Sequence, residues 1–131
     1  MKRIEVVAGV IKFKNKILCV QRGESKLQYI SKKYEFPGGK IEEGETKENA
    51  LIREIQEELN MKISISKEFM TVEHQYQDFY LVMHTFLCDV KTEELTLNEH
   101  LSYEWLCLSE LNKLDWAAAD VPIVNKLVRN G

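Results

Sequence analysis

Hydrophobic and polar positions alternate along the first 21 residues and then give way to other patterns. Apolar residues alternate on both sides of the polar sequence KNK, which predicts two strands joined by a tight turn. The following segment, GESKLQYISKK, is polar and has no clear period, so it is predicted to be a loop that leads into YEFPGG. The chain is therefore expected to open with a β-hairpin.

The best helical pattern runs from Thr46 to Leu59, where apolar residues recur with a period of about 3.6. The predicted apolar stripe has four members and Ile52 at its edge: Ala50, Leu51, Ile55 and Leu59. Thr46 is the expected N-cap, and Asn60 accepts the left-handed conformation that often ends a helix. Both ends of this helix are thus predicted.

The middle of the chain is predicted to be mostly strands. KISIS alternates strictly, TVEHQYQ and FYLVMHTFLCDV resemble two long strands that turn near Gln77-Asp78, and YEWLCL is a short apolar strand. A short helical stretch near SELNKL precedes a final helix, with Asp120 as N-cap and Pro122 in the first turn. Three residues are expected on the buried side of that helix: Ile123, Leu127 and Val128. This order predicts an α+β fold with a mixed sheet between helices.

Composition narrows the class of protein. A length of 131 residues suits one domain, residues 1–131, and a net charge of −3 provides no general attraction to nucleic acid polymers or anionic membranes. The N-terminal MKRIEVVAGVIKFKNK is interrupted by charges, so neither a signal peptide nor a membrane span is predicted, and a cytoplasmic location is expected. Cys19, Cys88 and Cys107 are widely spaced, which favours reduced packing residues over a zinc or disulfide framework.

The predicted helix and its approach are unusually acidic, with seven glutamates from Glu42 to Glu58. Glu54, Glu57 and Glu58 fall within an arc of about 100° on a helix, where like charges repel. These side chains form either a solvated face or a cage for a hard divalent cation such as Mg²⁺, which prefers oxygen ligands.

Two further features of this region favour the cage. The adjacent glycines of PGG let the backbone approach a metal or phosphate closely. Arg53 is placed to pair with Glu45 across the start of the helix and to hold both in register.

The whole stretch GKIEEGETKENALIREIQEELNM resembles the Nudix box, Gly-x5-Glu-x7-Arg-Glu-U-x-Glu-Glu-x-Gly-U, where U is apolar. The matching positions are eight: Gly39, Glu45, Arg53, Glu54, Ile55, Glu57, Glu58 and Met61. Asn60 stands where the box has its last glycine. This difference lies at the end of the helix and leaves the carboxylates of the box in place. The resemblance implies the Nudix fold, a mixed β-sheet sandwiched between α-helices.

The flanking segments resemble those of MutT-type members of this family. YEFPGGKIEEGET is similar to their approach to the box, and DWAAADVPIV is similar to their Pro-Ala-(Asn or Asp)-x-Pro segment. Ala118 stands where that proline is usual, and Asp120 stands at the Asn-or-Asp position, which faces the base in the family. The resemblance therefore covers nearly the whole chain.

The resemblance also implies roles for particular residues. Glu54, Glu57, Glu58 and the Gly38 carbonyl match the family's metal ligands, and Glu104 in YEWL matches a further acid that often completes the site. Glu54 is the first candidate for the group that positions or deprotonates water, and Glu104 is the second. By periodicity alone, however, Glu104 is an outward-facing strand residue.

Four residues are candidates for binding the substrate. Arg22 resembles an arginine that contacts the nucleotide, with a surface charge as the alternative, and Lys40 is placed to meet a phosphate. Phe36 either walls the base pocket or packs in the core. Asp120 either faces the base or caps the final helix, and the two roles are compatible.

The implied activity is hydrolysis of a nucleoside triphosphate to the monophosphate and pyrophosphate, with Mg²⁺ or alternatively Mn²⁺ as cofactor. Oxidised purine nucleotides, CTP or dCTP, and modified pyrimidines are the expected substrates. The alternatives are a hydrolase of nucleoside diphosphate derivatives, such as ADP-ribose or dinucleoside polyphosphates, and a non-catalytic nucleotide-binding module. No nucleic acid polymer or membrane partner is expected, and the protein is expected to be a monomer or a weak homodimer.

Overall fold

The computed structural model describes residues 1–130, which form seven strands, two α-helices and two 3₁₀ turns. The strands are β1 (Lys2–Phe13), β2 (Lys16–Gln21), β3 (Tyr34–Glu35), β4 (Gly38–Lys40), β5 (Ser64–Gln75), β6 (Phe79–Asp89) and β7 (Ser102–Leu106). The α-helices are α1 (Lys47–Leu59) and α2 (Val121–Asn130), and the 3₁₀ turns span Leu108–Lys113 and Ala118–Asp120. No helix within residues 1–130 has the length and apolar character needed to cross a membrane.

The strands form one mixed sheet, as the element order predicts. β1 and β2 form the expected hairpin around Lys14 and Asn15, which both have positive φ. Beyond the hairpin, β3 pairs with β2 while β4 pairs with β1, and β7 pairs with β2. On the other side, β1 runs parallel to β6, which pairs with β5. The segment from 34 to 40 therefore contacts both strands of the hairpin through backbone hydrogen bonds.

Strand alternation places a hydrophobic core on each face of the sheet. Val7, Ile11 and Leu18 pack with the buried stripe of α1. Val10 and Cys19, which point the opposite way, pack with residues of α2. The sheet is thus sandwiched between the two helices, which confirms the predicted fold class.

Both predicted ends of α1 are confirmed. The Thr46 hydroxyl accepts a hydrogen bond from the Asn49 backbone N–H at 3.1 Å, and Asn60 adopts a left-handed conformation with φ 54°. All four predicted members of the apolar stripe are fully buried, whereas Ile52 is exposed. The helix is therefore anchored locally by its caps and globally by one apolar face.

Three expectations are wrong in detail. KISIS and TVEHQYQ do not form separate strands, because β5 is continuous and absorbs two register irregularities between Ile65 and Met70. Val124, and not Val128, lies on the buried side of α2 with Ile123 and Leu127. The Asp120 carboxylate accepts a hydrogen bond from the Phe36 backbone N–H, and not from the start of α2 as an N-cap would.

The cysteines are free, and Cys19 and Cys88 are buried, as expected.

Candidate active site

A cavity of about 530 Å³ opens between α1, the β3–β4 segment and the start of α2. One end is apolar and includes Val6 and Met83, which are neighbours in β1 and β6 and pack in the core beneath α2. The other end is polar and lies beside Glu58 of α1. The cavity therefore joins an apolar slot to an acidic compartment.

The acidic end is centred on Glu58, which is only 7% exposed although it carries a carboxyl group. Its Oε1 atom is buried and has no hydrogen-bond partner. Burial, followed by the adjacent Glu54 carboxyl, raises the pKa of Glu58 well above its usual range. Because a buried carboxylate without a partner is costly, this site favours a proton or a cation between the two acids.

Two glycines, Gly38 and Gly39, let β4 lie close to β1 and to the Glu54 side chain of α1. A Cβ on Gly38 would collide with the Val7 backbone, so glycine permits the close pairing of β4 with β1. A Cβ on Gly39 would overlap the Glu54 carboxylate, which lies directly against this glycine. The PGG sequence thus lets the helix carboxylate sit against the backbone of β4.

Arg53 organises the carboxylates around it, and its predicted pairing with Glu45 is confirmed. Its Nε and Nη2 atoms donate to the two Glu45 oxygens at 2.7 and 2.8 Å, and Nη1 donates to Glu54 Oε1 at 2.8 Å and Glu57 Oε1 at 3.1 Å. Nη2 also donates to the Lys40 carbonyl at 3.1 Å. Arg53 lowers the pKa of Glu45 to about 2. The guanidinium therefore ties the loop, β4 and α1 together.

The residues present fit a hard divalent cation. Glu54 and Glu58 offer oxygen donors, Glu58 has a buried oxygen without a partner, and the absence of a side chain on Gly39 makes room for the Glu54 carboxylate. Among residues 1–130, no three side chains of His, Cys, Asp or Glu are already arranged as a metal-binding group. Glu57 is half-exposed and accepts a hydrogen bond from Arg53.

Glu104 does not join this cluster. It pairs with Cys19 across β7 and β2, and Cys19 faces the core beneath α2, whereas Glu58 belongs to α1 on the opposite face. The Tyr34 hydroxyl donates to Glu104 at 3.4 Å. Glu104 is not among the residues that line the cavity, and its assignment as a ligand stays a prediction.

Glu99 lies at the acidic end instead, where it lines the cavity and its charge contributes to raising the pKa of Glu58. It belongs to a loop that is docked on the C-terminal end of α1. Asn98 donates from its backbone N–H to the Glu58 carbonyl at 3.0 Å and from its side chain to the Glu57 carbonyl at 2.8 Å. This tertiary docking leaves no periodic signal in the sequence.

His100, the next residue of this loop, also lines the cavity, and no sequence pattern predicts a role for it. Its Nε2 atom lies 3.2 Å from Glu35 Oε2 and 4.0 Å from Glu58 Oε1. An imidazole thus separates the acid of β3 from the acid of α1.

The candidate substrate-binding residues all line the cavity. Arg22 forms an ion pair with Glu35 at 3.0 Å, and Lys40 is exposed. Phe36 both lines the cavity and packs in the core, where its ring stacks on Trp116 at a centroid distance of 4.7 Å. The structure therefore brings all four predicted residues to one cavity without deciding their individual roles.

Asp120 lies at the boundary between the apolar slot and the start of α2. It is 4% exposed, and its Oδ1 atom accepts a hydrogen bond from the Phe36 N–H at 3.0 Å. Burial, followed by the charge of Glu35, raises the pKa of Asp120 well above its usual value. This acid therefore links the two walls of the slot and favours its neutral form.

Comparisons with known proteins agree with this architecture. A family profile described as NUDIX domain matches residues 1–127. The 8-oxo-dGTP diphosphatase of Escherichia coli (strain K12) is 33% identical over 129 residues, which cover 98% of this chain and 99% of that protein. The CTP pyrophosphohydrolase of the same strain is 31% identical over 124 residues, which cover 95% of this chain and 90% of that protein.

A solved structure is also similar along the full length. The solution structure of the DNA mismatch repair protein MutT, family Nudix hydrolase, from methicillin-resistant Staphylococcus aureus 252 is 44% identical. It superposes with a TM-score of 0.77 and covers 100% of both chains.

Proposed function

This chain belongs to the NUDIX family, and from that premise we propose that it hydrolyses a nucleoside triphosphate to the monophosphate and pyrophosphate with a bound divalent cation. The observation that carries the proposal is the cavity itself. Its acidic end contains the unpartnered buried oxygen of Glu58, and its other end is apolar and is bounded by Asp120. A polyphosphate with its cation suits the first end, and a nucleobase suits the second.

The proposed ligands of the cation are Glu54, Glu57, Glu58 and the Gly38 carbonyl, and Mg²⁺ or Mn²⁺ suits this all-oxygen set. When bound, such an ion neutralises phosphate oxygens and lowers the pKa of water. The family's general use of divalent metal ions agrees with this assignment.

Glu54 is the proposed proton acceptor in the hydrolysis. Arg53 binds its Oε1 atom, while the rest of the carboxylate lies against Gly39. This arrangement fixes the orientation of the carboxylate, as a group that takes a proton from the attacking water requires. Glu99 is the alternative acceptor, because it reaches the same end of the cavity.

Arg53 and Glu45 are proposed as organisers of the catalytic carboxylates. Replacing Arg53 by Lys keeps a positive charge but loses the fork that binds Glu45, Glu54 and the Lys40 carbonyl together. We expect kcat to fall about 10- to 100-fold, the scale of losing the partner that orients a metal ligand. Steady-state kinetics at saturating cation test this, and a variant with unchanged kcat would show that the network is dispensable.

At the other end of the cavity, Phe36 and Asp120 are proposed to contact the base, with Arg22 and Lys40 nearer the phosphates. An ionised carboxylate beside the triphosphate would need a proton or a cation between them, so Asp120 is better suited to the base. The names of the relatives, 8-oxo-dGTP diphosphatase and CTP pyrophosphohydrolase, support oxidised purine or cytidine nucleotides as the substrate class.

Replacing Asp120 by Asn should change base preference while leaving the dependence on the cation unaltered. The amide keeps an acceptor for the Phe36 N–H but presents different hydrogen-bonding groups to the base. We expect relative kcat/KM values among cytidine, guanosine and oxidised guanosine triphosphates to shift by about 1–3 kcal/mol. Equal slowing of all three substrates would contradict the assignment of Asp120 to the base.

A panel of nucleotides tests the substrate class directly. Canonical and oxidised nucleoside triphosphates, ADP-ribose and a dinucleoside polyphosphate are compared at equal concentration with Mg²⁺. We expect the highest kcat/KM for a triphosphate. A preference for ADP-ribose or the dinucleoside would establish the alternative hydrolase, and no turnover of any compound would favour a binding module.

We further propose that residues 1–131 form one domain, acting in the cytoplasm as a monomer or weak homodimer. One observation supports the single domain, since both hydrophobic cores pack against the same sheet. The net charge of −3 supports a small-molecule substrate and not a nucleic acid polymer.

A further inference from the structure

Glu35 connects the mouth of the cavity to the loop that contains His100. Its Oε1 atom accepts a hydrogen bond from Arg22 Nη1 at 3.0 Å, and its Oε2 atom lies 3.2 Å from His100 Nε2. Because an ionised carboxylate only accepts hydrogen bonds, the Nε2 atom of His100 carries the proton in this contact. One carboxylate therefore receives two donors, one on each oxygen.

The two donors differ in how firmly they are held. The His100 side chain is 6% exposed, whereas the Arg22 side chain is 48% exposed. His100 also belongs to a docked loop, in which Asn98 binds the end of α1 and the Leu101 N–H donates to the Gln21 carbonyl at 2.8 Å. The His100 imidazole is thus the firmly held partner of Glu35, and the Arg22 guanidinium is the solvent-exposed partner.

We propose that His100 is a positioning residue that fixes Glu35 and, through Glu35, holds Arg22 at the mouth of the nucleotide cavity. The inference rests on the proposed function for the part of Arg22 in substrate binding. Without the imidazole N–H, Glu35 keeps only its exposed partner, and the Arg22 guanidinium loses its fixed anchor. Substrate affinity then falls because a flexible arginine must be ordered on binding.

Asparagine and glutamine at position 100 provide a matched pair. Both have an amide, but only the longer glutamine side chain places its N–H near the position of Nε2. His100→Asn should therefore raise KM about 10-fold with kcat changed less than about twofold, as expected for uniform binding. His100→Gln should restore KM to within about threefold of the original value.

His84→Asn is the control for loss of a histidine–carboxylate contact elsewhere. His84 Nε2 lies 2.7 Å from Glu5 Oε1, and neither residue lines the cavity. This variant should leave KM unchanged. Thermal melting of each variant reports on folding, so a KM effect shared by all three variants in proportion to lost stability would overturn the proposal.

A double-mutant cycle with Arg22→Ala tests the route of the effect. If His100 acts through Arg22, His100→Asn adds less than about a twofold change in KM to the Arg22→Ala background. Additive effects would overturn the proposal, as would a fall in kcat with unchanged KM, which would indicate action on Glu58 instead.

NMR of the nucleotide-free protein separates this inference from the proposed function. The Arg22 side-chain N–H signal should report restricted motion in the original protein and in His100→Gln, and greater motion in His100→Asn. Equal motion in all three would overturn the positioning role, whatever the activity. Absence of turnover in the original protein would instead reject the proposed function.

Discussion

Replacing Glu58 by Gln is expected to lower kcat by about two to four orders of magnitude, a scale typical of groups that act directly on the reacting atoms. The substitution preserves the shape of the side chain but removes a charge from the proposed cation site. The affinity of the nucleotide-free protein for Mn²⁺, measured by electron paramagnetic resonance, should fall with it. Glu48→Gln, in the exposed first turn of the same helix, should change neither quantity.

The same substitution should raise the stability of the cation-free protein at alkaline pH. The pKa of Glu58 is raised in the folded state, so its protonated form stabilises the fold fully below its unfolded pKa of about 4. That contribution is lost as pH rises toward and through the folded pKa. Gln cannot ionise, so urea unfolding in EDTA should show a smaller loss of stability with rising pH in Glu58→Gln. If Glu58→Gln unfolds at a lower urea concentration than the original protein at pH 8, then ionisation of Glu58 beside Glu54 does not destabilise the fold, which would contradict this interpretation.

The second large effect concerns folding. Ile55 is fully buried in the core between α1 and the sheet, so Ile55→Ala should reduce the free energy of unfolding by about 2–5 kcal/mol. Lys47→Ala, at a partly exposed position in the first turn of the same helix, should cost under about 0.5 kcal/mol. Urea denaturation of both variants provides the comparison, and equal stabilities would mean that this apolar face contributes little.

Local chemistry explains which elements the sequence reveals. The Thr46 cap, the apolar stripe and the left-handed Asn60 act within one helix, and all are readable from spacing. The pairing of Arg53 with Glu45 is also local to the start of α1. By contrast, the continuity of β5 depends on irregular pairing with β6, which strict alternation does not encode.

Tertiary contacts determine which acids line the cavity. Glu104 and Glu99 both precede Trp105, but strand register turns Glu104 toward the α2 face, while a docked loop brings Glu99 to Glu58. A single histidine has no spacing signal of its own, so the sequence does not predict the place of His100 in the cavity. Its partners, Glu35 and Glu58, come from distant parts of the chain.

The most direct test of the proposed activity is the identity of the products, followed by ³¹P NMR. The protein is incubated with the best triphosphate of the panel, once with Mg²⁺ and once with excess EDTA. The account predicts one nucleoside monophosphate signal and one pyrophosphate signal with Mg²⁺, and no reaction with EDTA. Formation of nucleoside diphosphate and orthophosphate, or equal turnover in EDTA, would contradict it.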